Sequence, residues 1–271
     1  MANFDQAEGL RRMLFGAKPR FVTFLSALSN EERNATLVNI AAGMASIGSD
    51  VVLLDARQSG TSVAKWLEMQ IKVTLLDVAQ EKRSLQNATL TSSQGFKLAS
   101  LTRCWQNSPD FPANDVVLTK LDRIVAALGN SADLVLVDGE LNVDNALPSE
   151  VLENGEIVIQ LTGQADAIKT AYGLIKRAHS RFGRRHYGVL VTGVNQAEAY
   201  RVFEALAQVA GNFLSVPLNL VGYVPEDDYL RRASRSGRNV IEAFPKAMAS
   251  VAFSRLAHQM TGLNEFATTY S

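Results

Sequence analysis

Short apolar runs rich in Val, Ile and Leu recur along the chain, and helical patterns fill the gaps between most of them. The predicted strands are 21–26, 51–55, 97–102, 133–138, 156–162, 187–194 and 218–224. The clearest predicted helices are 35–48, 115–129, 164–183, 196–211 and 246–260. Strands that are apolar on both faces are typical of a parallel sheet with helices on each side. The alternation therefore predicts an α/β fold with a doubly wound, mostly parallel sheet.

Ligands of such a sheet bind beyond the carboxyl ends of its strands. The expected site therefore lies around residues 26–34, 55–60 and 138–145. Two predicted strands end in an aspartate, Asp55 after VVLL and Asp138 after LVLV. A carboxylate at this edge can hold Mg²⁺ directly or through water, and it can equally cap a helix or a turn.

Composition narrows the class of protein without identifying it. Of the 271 residues, 47% are hydrophobic, and 27 Lys and Arg balance 27 Asp and Glu, so no overall field attracts nucleic acid or anionic lipid. A single Cys, Cys104, excludes a disulfide framework, and the first twelve residues, MANFDQAEGLRR, lack the apolar core of a signal peptide. We therefore expect a cytoplasmic protein. Its three histidines do not share metal-ligand spacing, so no metal site is predicted beyond Mg²⁺.

Several segments, taken in order, resemble the FlhG/FleN family of flagellar number regulators, which belongs to the MinD/ParA branch of P-loop ATPases. They are 5-DQAEGLRRML-14, FVTFLS, LVNIAAGMASIG, VVLLDA, 74-TLLDVAQEKRSLQNA-88 and 222-GYVPEDDYLRRASRSGRNVIEAFPKAMASVAFSRLA-257. The resemblance divides the chain into an N-terminal segment, 1–18, and one MinD-like domain, 19–271. It implies ATP and Mg²⁺ as cofactors and recruitment to the cell pole. The implied partners are an FlhF-like GTPase and a flagellar master transcription activator.

The N-terminal segment keeps the family pattern DQA-x-x-LR. The matching residues are Asp5, Gln6, Ala7, Leu10 and Arg11. In FlhG-like proteins this pattern forms a short helix that enters the active site of FlhF and stimulates its GTPase, so the resemblance implies that these residues bind a partner. The alternative is an amphipathic helix that packs on its own domain.

The loop after the first strand departs from the family. Its members read like G-K-G-G-V-G-K-T, whose glycines let backbone N–H groups close on phosphate, whereas this chain reads 27-ALSNEERN-34. Leu28 replaces the family's dimer-bridging Lys, Arg33 its phosphate-binding Lys and Asn34 its Mg²⁺-binding Thr. Each lost charge-assisted hydrogen bond is worth roughly 1.5–3 kcal/mol, so we predict that phosphate affinity is largely lost.

The same loop also fits the start of a helix. Ser29-Asn30-Glu31-Glu32 matches the capping box S-x-x-E, in which the Ser side chain and the Glu side chain each accept from a backbone N–H group. Acidic residues further suit the positive end of the helix dipole. We therefore predict that Ser29 and Glu32 cap the helix N-terminus that nucleotide phosphate caps in the family.

The remaining site positions agree with the family in part. The resemblance implies cofactor binding by Arg33, Asn34, Asp55, Asp138 and Asn195. Among these, Asp55 and Asp138 are the candidate remnants of a catalytic site. The family's second acid, two residues after the first aspartate, is Arg57 here. Asn195 also fits a simple turn former after a strand.

These departures favour a pseudo-ATPase that regulates flagellar number or placement through partners, without ATP-gated dimerisation. Two alternatives stay open: a weak ATP-binding ATPase, and a DNA-binding or cell-pole positioning protein that uses the four arginines within 231–238. The acidic residues at 226–228 make a solvated helix face the simpler explanation of those arginines. Residues 261–271 carry one Glu and no Lys or Arg, so membrane binding is not expected. The oligomeric state stays open.

Overall fold

A computed structural model describes residues 19–102 and 115–262 of the chain, which form one eight-stranded sheet with helices on both faces. The strands are β1 (Phe21–Ser26), β2 (Val51–Asp55), β3 (Thr89–Thr91), β4 (Lys97–Ser100), β5 (Leu134–Gly139), β6 (Glu156–Thr162), β7 (Tyr187–Thr192) and β8 (Leu218–Val224). The α-helices of the described ranges are α1 (Asn30–Ser46), α2 (Val63–Trp66), α3 (Leu75–Ala79), α4 (Asp115–Gly129), α5 (Glu150–Glu153), α6 (Ala165–Phe182), α7 (Gln196–Leu214), α8 (Asp228–Arg235), α9 (Val240–Ala243) and α10 (Met248–Gly262). A 3₁₀ helix spans Leu85–Ala88.

The strand order is β3-β4-β2-β5-β1-β6-β7-β8, and every pairing is parallel except that of β3 with β4. The predicted doubly wound, mostly parallel sheet is therefore confirmed. β3 was not predicted, because its three residues are too few to show a pattern. β2 to β5 lie on one side of β1 and β6 to β8 on the other. The carboxyl end of β1 is therefore a switch point of the kind where ligands bind.

Alternate residues of β1 enter opposite cores. Val22 and Phe24 belong to a core that includes α1 and α10, whereas Phe21 and Leu25 belong to one that includes α4, α6 and α7. Because both faces of the strand are covered, its sequence shows a continuous apolar run in place of alternation.

Two helices are longer than the apolar pattern alone predicts. Helix α1 begins at Asn30, directly after the predicted cap Ser29 and ahead of residue 35, where the apolar spacing begins. Helix α7 continues past the predicted 211 and ends before Ser215, which adopts the left-handed conformation with φ 54° and ψ 36°. Within the described part of the chain, no helix has the length and apolar character needed to cross a bilayer.

Candidate functional site

The two strand-end aspartates lie side by side. β2 and β5 pair with Asp55 opposite Asp138, and β1 ends on the other side of β5. Both side chains are buried, and Asp138 has no exposed surface at all. The segments that the sequence singled out after β1, β2 and β5 therefore meet at one edge of the sheet.

The N-terminus of α1 is closed by its own side chains. Ser29 Oγ accepts from the backbone N–H of Glu32 at 3.3 Å, and Glu32 Oε2 accepts from the backbone N–H of Ser29 at 3.1 Å. Ser29 Oγ also donates to Glu32 Oε2 at 2.7 Å. The predicted capping box is thus present in full, and two N–H groups at this helix start are satisfied without a ligand.

Two further backbone N–H groups of this loop point into the protein. Ala27 donates to the carbonyl oxygen of Gln160 at 2.8 Å, and Leu28 donates to Ser26 Oγ at 3.1 Å. In a phosphate-binding loop, successive N–H groups point at the ligand. Here four N–H groups between residues 27 and 32 donate to protein oxygens instead.

Arg33 turns its guanidinium inward, and only 2% of the residue is exposed. Nε donates to Asp138 Oδ2 at 3.1 Å and Nη1 donates to Asn30 Oδ1 at 2.6 Å. Nη2 donates to the carbonyl oxygen of Thr61 at 2.9 Å and to Asn34 Oδ1 at 3.2 Å. All three guanidinium nitrogens are therefore engaged by protein acceptors, which offsets part of the large cost of burying the charge.

The loop after β2 is pressed against the first turn of α1. Asn34 Nδ2 donates to the carbonyl oxygen of Thr61 at 3.1 Å. Gly60 has φ +83°, and a Cβ at this position would lie 2.6 Å from Asn30 Oδ1. A side chain at residue 60 would therefore collide with α1, and the glycine permits the close approach.

Burial dominates the titration of the two aspartates. It raises the pKa of Asp138 to about 7; the Arg33 cation opposes this shift and the Asp55 carboxylate adds to it. Burial likewise raises the pKa of Asp55 above its ordinary value. Asp138 Oδ1 has no hydrogen-bond partner among the residues described, so Arg33 satisfies only one of its two oxygens. Asp138 is consequently a buried acid that can be neutral or charged near neutral pH.

A second ion pair joins the same two loops. Arg57 Nη2 donates to Glu140 Oε1 at 3.2 Å, and Ser59 Oγ donates to the same oxygen at 2.6 Å. Glu140 Oε2 accepts from the backbone N–H groups of Gln58 and Ser59 at 3.2 and 3.1 Å. Partial burial opposes the charge of Glu140, but the Ser59 hydrogen bond and the Arg57 cation together hold its pKa below the ordinary value. The carboxylate thus fills an anion-binding turn after β2.

Sequence reasoning missed the role of Glu140, although a signal for it exists. Asp55 and Asp138 stand opposite each other on paired parallel strands. Arg57 and Glu140 each follow two residues later, so opposite charges leave adjacent strand ends at the same level. Only the pairing of β2 with β5 reveals this, since the two residues are far apart in the chain.

A cavity of about 410 Å³ lies beside the capped helix start, between the first turn of α1 and the ends of β7 and β8. Its charged lining residues are Glu31, Glu32, Glu226, Asp227, Arg231 and Arg235. Acids outnumber cations in this lining, which disfavours an anionic ligand. No group of three or more His, Cys, Asp and Glu side chains in the described ranges is arranged to hold a metal ion.

Asn195 stands apart from the other predicted cofactor-binding residues. Its Oδ1 accepts from the backbone N–H of Glu198 at 3.0 Å and caps helix α7. It is not among the residues that line the cavity. This geometry fits the simpler interpretation of Asn195 as a residue that shapes the turn after a strand.

Known proteins resemble this chain in both sequence and fold. No protein-family model matches it. The antiactivator FleN of Pseudomonas aeruginosa is 28% identical over 224 residues, which cover 82% of this chain and 79% of FleN. The MinC:MinD cell division complex of Aquifex aeolicus matches with a TM-score of 0.66 and 20% identity, over 90% of this chain and 96% of that one. MinD of Pyrococcus horikoshii, complexed with Mg-ADP, matches with a TM-score of 0.65 and 16% identity, over 93% of this chain and 99% of that one.

The chain has a MinD/ParA-type fold and resembles FleN. The predicted resemblance to the FlhG/FleN family is thereby confirmed. Within this FleN-like chain, Arg33, Asn34, Asp55 and Asp138 meet in one cluster, which we call the internal cluster. The predicted partner-binding residues within 5–11 lie outside the described residues.

Proposed function

We propose that this chain regulates flagellar number or placement through protein partners, with a MinD-like nucleotide site that its own side chains fill. FleN is named an antiactivator, and the Aquifex MinD structure contains MinC as a partner. Both names support action through protein contacts. The proposed partners are an FlhF-like GTPase and a flagellar master transcription activator, as the family resemblance implies. We also propose that 1–18 is a partner-binding segment and that 19–271 is one domain.

The internal engagement of Arg33 carries the proposal of a pseudo-ATPase. For Arg33 to contact a phosphate, its guanidinium would have to leave Asp138 and the Thr61 carbonyl, and Asp138 would then be buried without its cation. A phosphate at the start of α1 would also displace Glu32 from the Ser29 amide. A carboxylate about 4 Å from a phosphate charge costs on the order of 4 kcal/mol at an effective dielectric near 20.

The residues present do not fit Mg²⁺ and ATP. Asn34, at the position of the family's Mg²⁺-binding Thr, donates to the Thr61 carbonyl and accepts from Arg33. Leu28, at the position of the bridging Lys, is uncharged and cannot pair with a phosphate bound to the other subunit of a nucleotide-bridged dimer. An ATP-gated dimer of that kind is therefore not expected.

Calorimetry with Mg·ATP and Mg·ADP tests this part of the proposal. We expect a dissociation constant weaker than about 1 mM, at which the binding free energy is only about −4 kcal/mol. A MinD protein measured in the same buffer is the positive control. Micromolar affinity, or a shift to dimer in size-exclusion chromatography when Mg·ATP is added, would refute the pseudo-ATPase.

A weak ATPase is the second candidate, because Arg33, Asp55 and Asp138 do cluster. A phosphate-release assay separates the two candidates. Release above background that is abolished in both Arg33→Ala and Asp138→Asn would favour the ATPase.

The partner-binding segment needs its own measurement. Gln6→Ala and Arg11→Ala should each reduce the stimulation of an FlhF-like GTPase, whereas Ser271→Ala should not. Unchanged stimulation in the first two variants would remove this segment from the mechanism.

The DNA-binding alternative receives less support from the contacts. Arg231 pairs with Glu226 and Asp228, and Arg238 pairs with Glu242, so two of the four arginines are locally neutralised. Retention on duplex DNA that falls steeply with salt would revive this alternative.

A further inference from the structure

An exposed apolar surface lies where α8, α9 and α10 meet. We define the α8–α10 surface by Tyr229, Arg232, Phe244, Met248 and Val251. Tyr229 is 47% exposed, Met248 66% and Val251 54%. A partner that covers these side chains buries apolar area without breaking hydrogen bonds to water. Single apolar residues scattered over a surface are common and need no explanation. These need one only if they form a continuous patch.

Two aromatic rings and one cation form the rigid half of this surface. The ring centroids of Tyr229 and Phe244 are 4.9 Å apart with an interplanar angle of 44°. The Arg232 guanidinium carbon lies 5.7 Å from the Tyr229 centroid and 5.3 Å from that of Phe244. Cation–π attraction, worth about 0.5–1 kcal/mol at an exposed site, thus favours this arrangement before a partner binds.

A buried carboxylate joins the aromatic half to α10. Asp227 Oδ1 accepts from the Tyr229 N–H at 2.8 Å, and Asp227 Oδ2 accepts from the Ala249 N–H at 2.9 Å. One side chain therefore bridges the backbones that carry Tyr229 and Met248. Met248 and Val251 are three residues apart on α10, on the face opposite its buried side chains. Since α8, α9 and α10 contact one another, the exposed apolar residues lie on adjoining helices.

The charges around this patch are unbalanced. Its exposed acids, Glu226, Asp228 and Glu242, are all paired with arginines. The cations of this surface that have no carboxylate partner in the described ranges are Arg232, Lys246 and Arg255. An apolar centre with unmatched positive charge around it is complementary to an acidic segment with apolar anchors.

We propose that the α8–α10 surface binds an acidic amphipathic segment of a partner protein. The partner's apolar side chains pack on Tyr229, Met248 and Val251, and its carboxylates pair with the surrounding cations. This inference rests on the part of the proposed function in which the chain acts through partners, and it is independent of the nucleotide site.

The composition of the surface favours a protein over DNA or lipid. Tyr, Met and Arg are enriched in protein interfaces, and preordered side chains reduce the entropy lost on binding. DNA offers no apolar group to cover Met248 and Val251.

Fluorescence anisotropy with the full chain tests the proposal. The probe is a labelled synthetic helix of about five turns, with Leu at helical spacing and Glu elsewhere, and its counterpart carries Lys in place of Glu. We expect the Glu peptide to bind at least about tenfold more tightly than the Lys peptide. Met248→Glu with Val251→Glu should weaken the Glu peptide by at least about tenfold, and so should Arg232→Gln.

Val143→Glu is the matched control, because Val143 is 94% exposed and lies outside this surface. It should leave peptide binding unchanged. Met248→Ser with Val251→Ser provides a milder pair if the glutamates alter the melting temperature. Equal binding of both peptides, or equal losses in the control, would overturn the proposal. So would binding of phosphatidylserine vesicles or of a DNA duplex that the Met248 and Val251 changes abolish. Tight Mg·ATP binding would refute the pseudo-ATPase but leave this result standing.

Discussion

The carboxyl end of β1 and the α8–α10 surface differ in whether their side chains are engaged within the protein or exposed to solvent. At the end of β1, Arg33 donates from all three guanidinium nitrogens to protein acceptors, and Glu32 caps its own helix. On the α8–α10 surface, apolar side chains are exposed to solvent and the Arg232 guanidinium lies over two aromatic rings. In the first region, protein groups satisfy the charges and hydrogen-bonding groups. In the second, apolar side chains are exposed to solvent.

Under the proposed function, the chain keeps a MinD-like fold and acts through a region other than the end of β1. A ligand at the end of β1 would have to replace bonds that already exist, so its net gain is small. A partner on the α8–α10 surface would bury exposed apolar area and match unpaired cations, with little to displace. Four variants or conditions would break or sharpen this contrast, and they follow from the largest expected effect to the smallest.

Arg33→Met should have the largest effect on stability. It leaves the Asp138 carboxylate buried without its cation, which should lower the free energy of unfolding by about 3–5 kcal/mol in urea denaturation at mildly alkaline pH. The double variant with Asp138→Leu should recover most of this loss, because an apolar pair avoids the cost of a lone charge. An unchanged free energy of unfolding in the single variant would mean that buried Asp138 does not depend on the Arg33 cation.

The pH dependence of stability should report Asp138 directly. Its pKa is raised by burial from 3.8 to about 7, so between these values the folded chain holds a proton that the unfolded chain has released. The free energy of unfolding should therefore decrease as pH rises through this window, by at most about 1.4 kcal/mol per pH unit. Asp138→Asn should make the profile shallower, with the remaining slope due to Asp55, whose pKa burial also raises, and Asp144→Asn, at an exposed carboxylate, should not. A profile that rises with pH would contradict the assignment.

Glu140→Ala should loosen the turn after β2. The variant removes the acceptor of the Gln58 and Ser59 amides, and water replaces it only in part because the carboxylate is partly buried. Hydrogen exchange at these two amides should accelerate by roughly tenfold, corresponding to about 1.4 kcal/mol. Glu140→Gln keeps one acceptor oxygen and should show a smaller effect. Identical exchange in all three proteins would show that the turn holds its shape without Glu140.

Ser29→Ala should have the smallest effect, since the cap is exposed. The loss of the side-chain acceptor should lower the free energy of unfolding by about 1 kcal/mol, and Ser29→Thr should retain most of the stability. Calorimetry should still detect no tight Mg·ATP binding, because Arg33 stays engaged with Asp138. Micromolar binding in this variant would show that Ser29 alone excludes nucleotide.

Local patterns predicted much of the fold and part of the candidate site. The runs at 21–26, 51–55 and 156–162 match strands in full, because a strand buried on both faces leaves a continuous apolar signal. The run at 218–224 also matches a strand in full, although most residues of this edge strand are only partly buried. The capping box was predictable for a similar reason, since both of its residues lie within one turn of helix. Short β3 and the polar first turn of α1 left no such signal.

Other features depended on contacts between distant segments. The pairing of Glu140 with Arg57 follows from the register of β2 on β5, and no local pattern reports a register. The inward direction of Arg33 depends on Asp138, which arrives from more than one hundred positions later in the chain. Sequence alone left Arg33 as a candidate phosphate ligand.

The sequence by itself determined the layered α/β fold, the aspartates at two strand ends and the helix start at Ser29, because each depends on residues that are neighbours in the chain. Only the tertiary structure determined that Arg33 pairs with Asp138 and that Tyr229, Phe244 and Met248 lie on adjoining helices. The sheet order brings β5 beside β1, and Asp227 bridges the segments before α8 and within α10. These residue pairs form between segments that are distant in the chain, so no local sequence pattern predicts them.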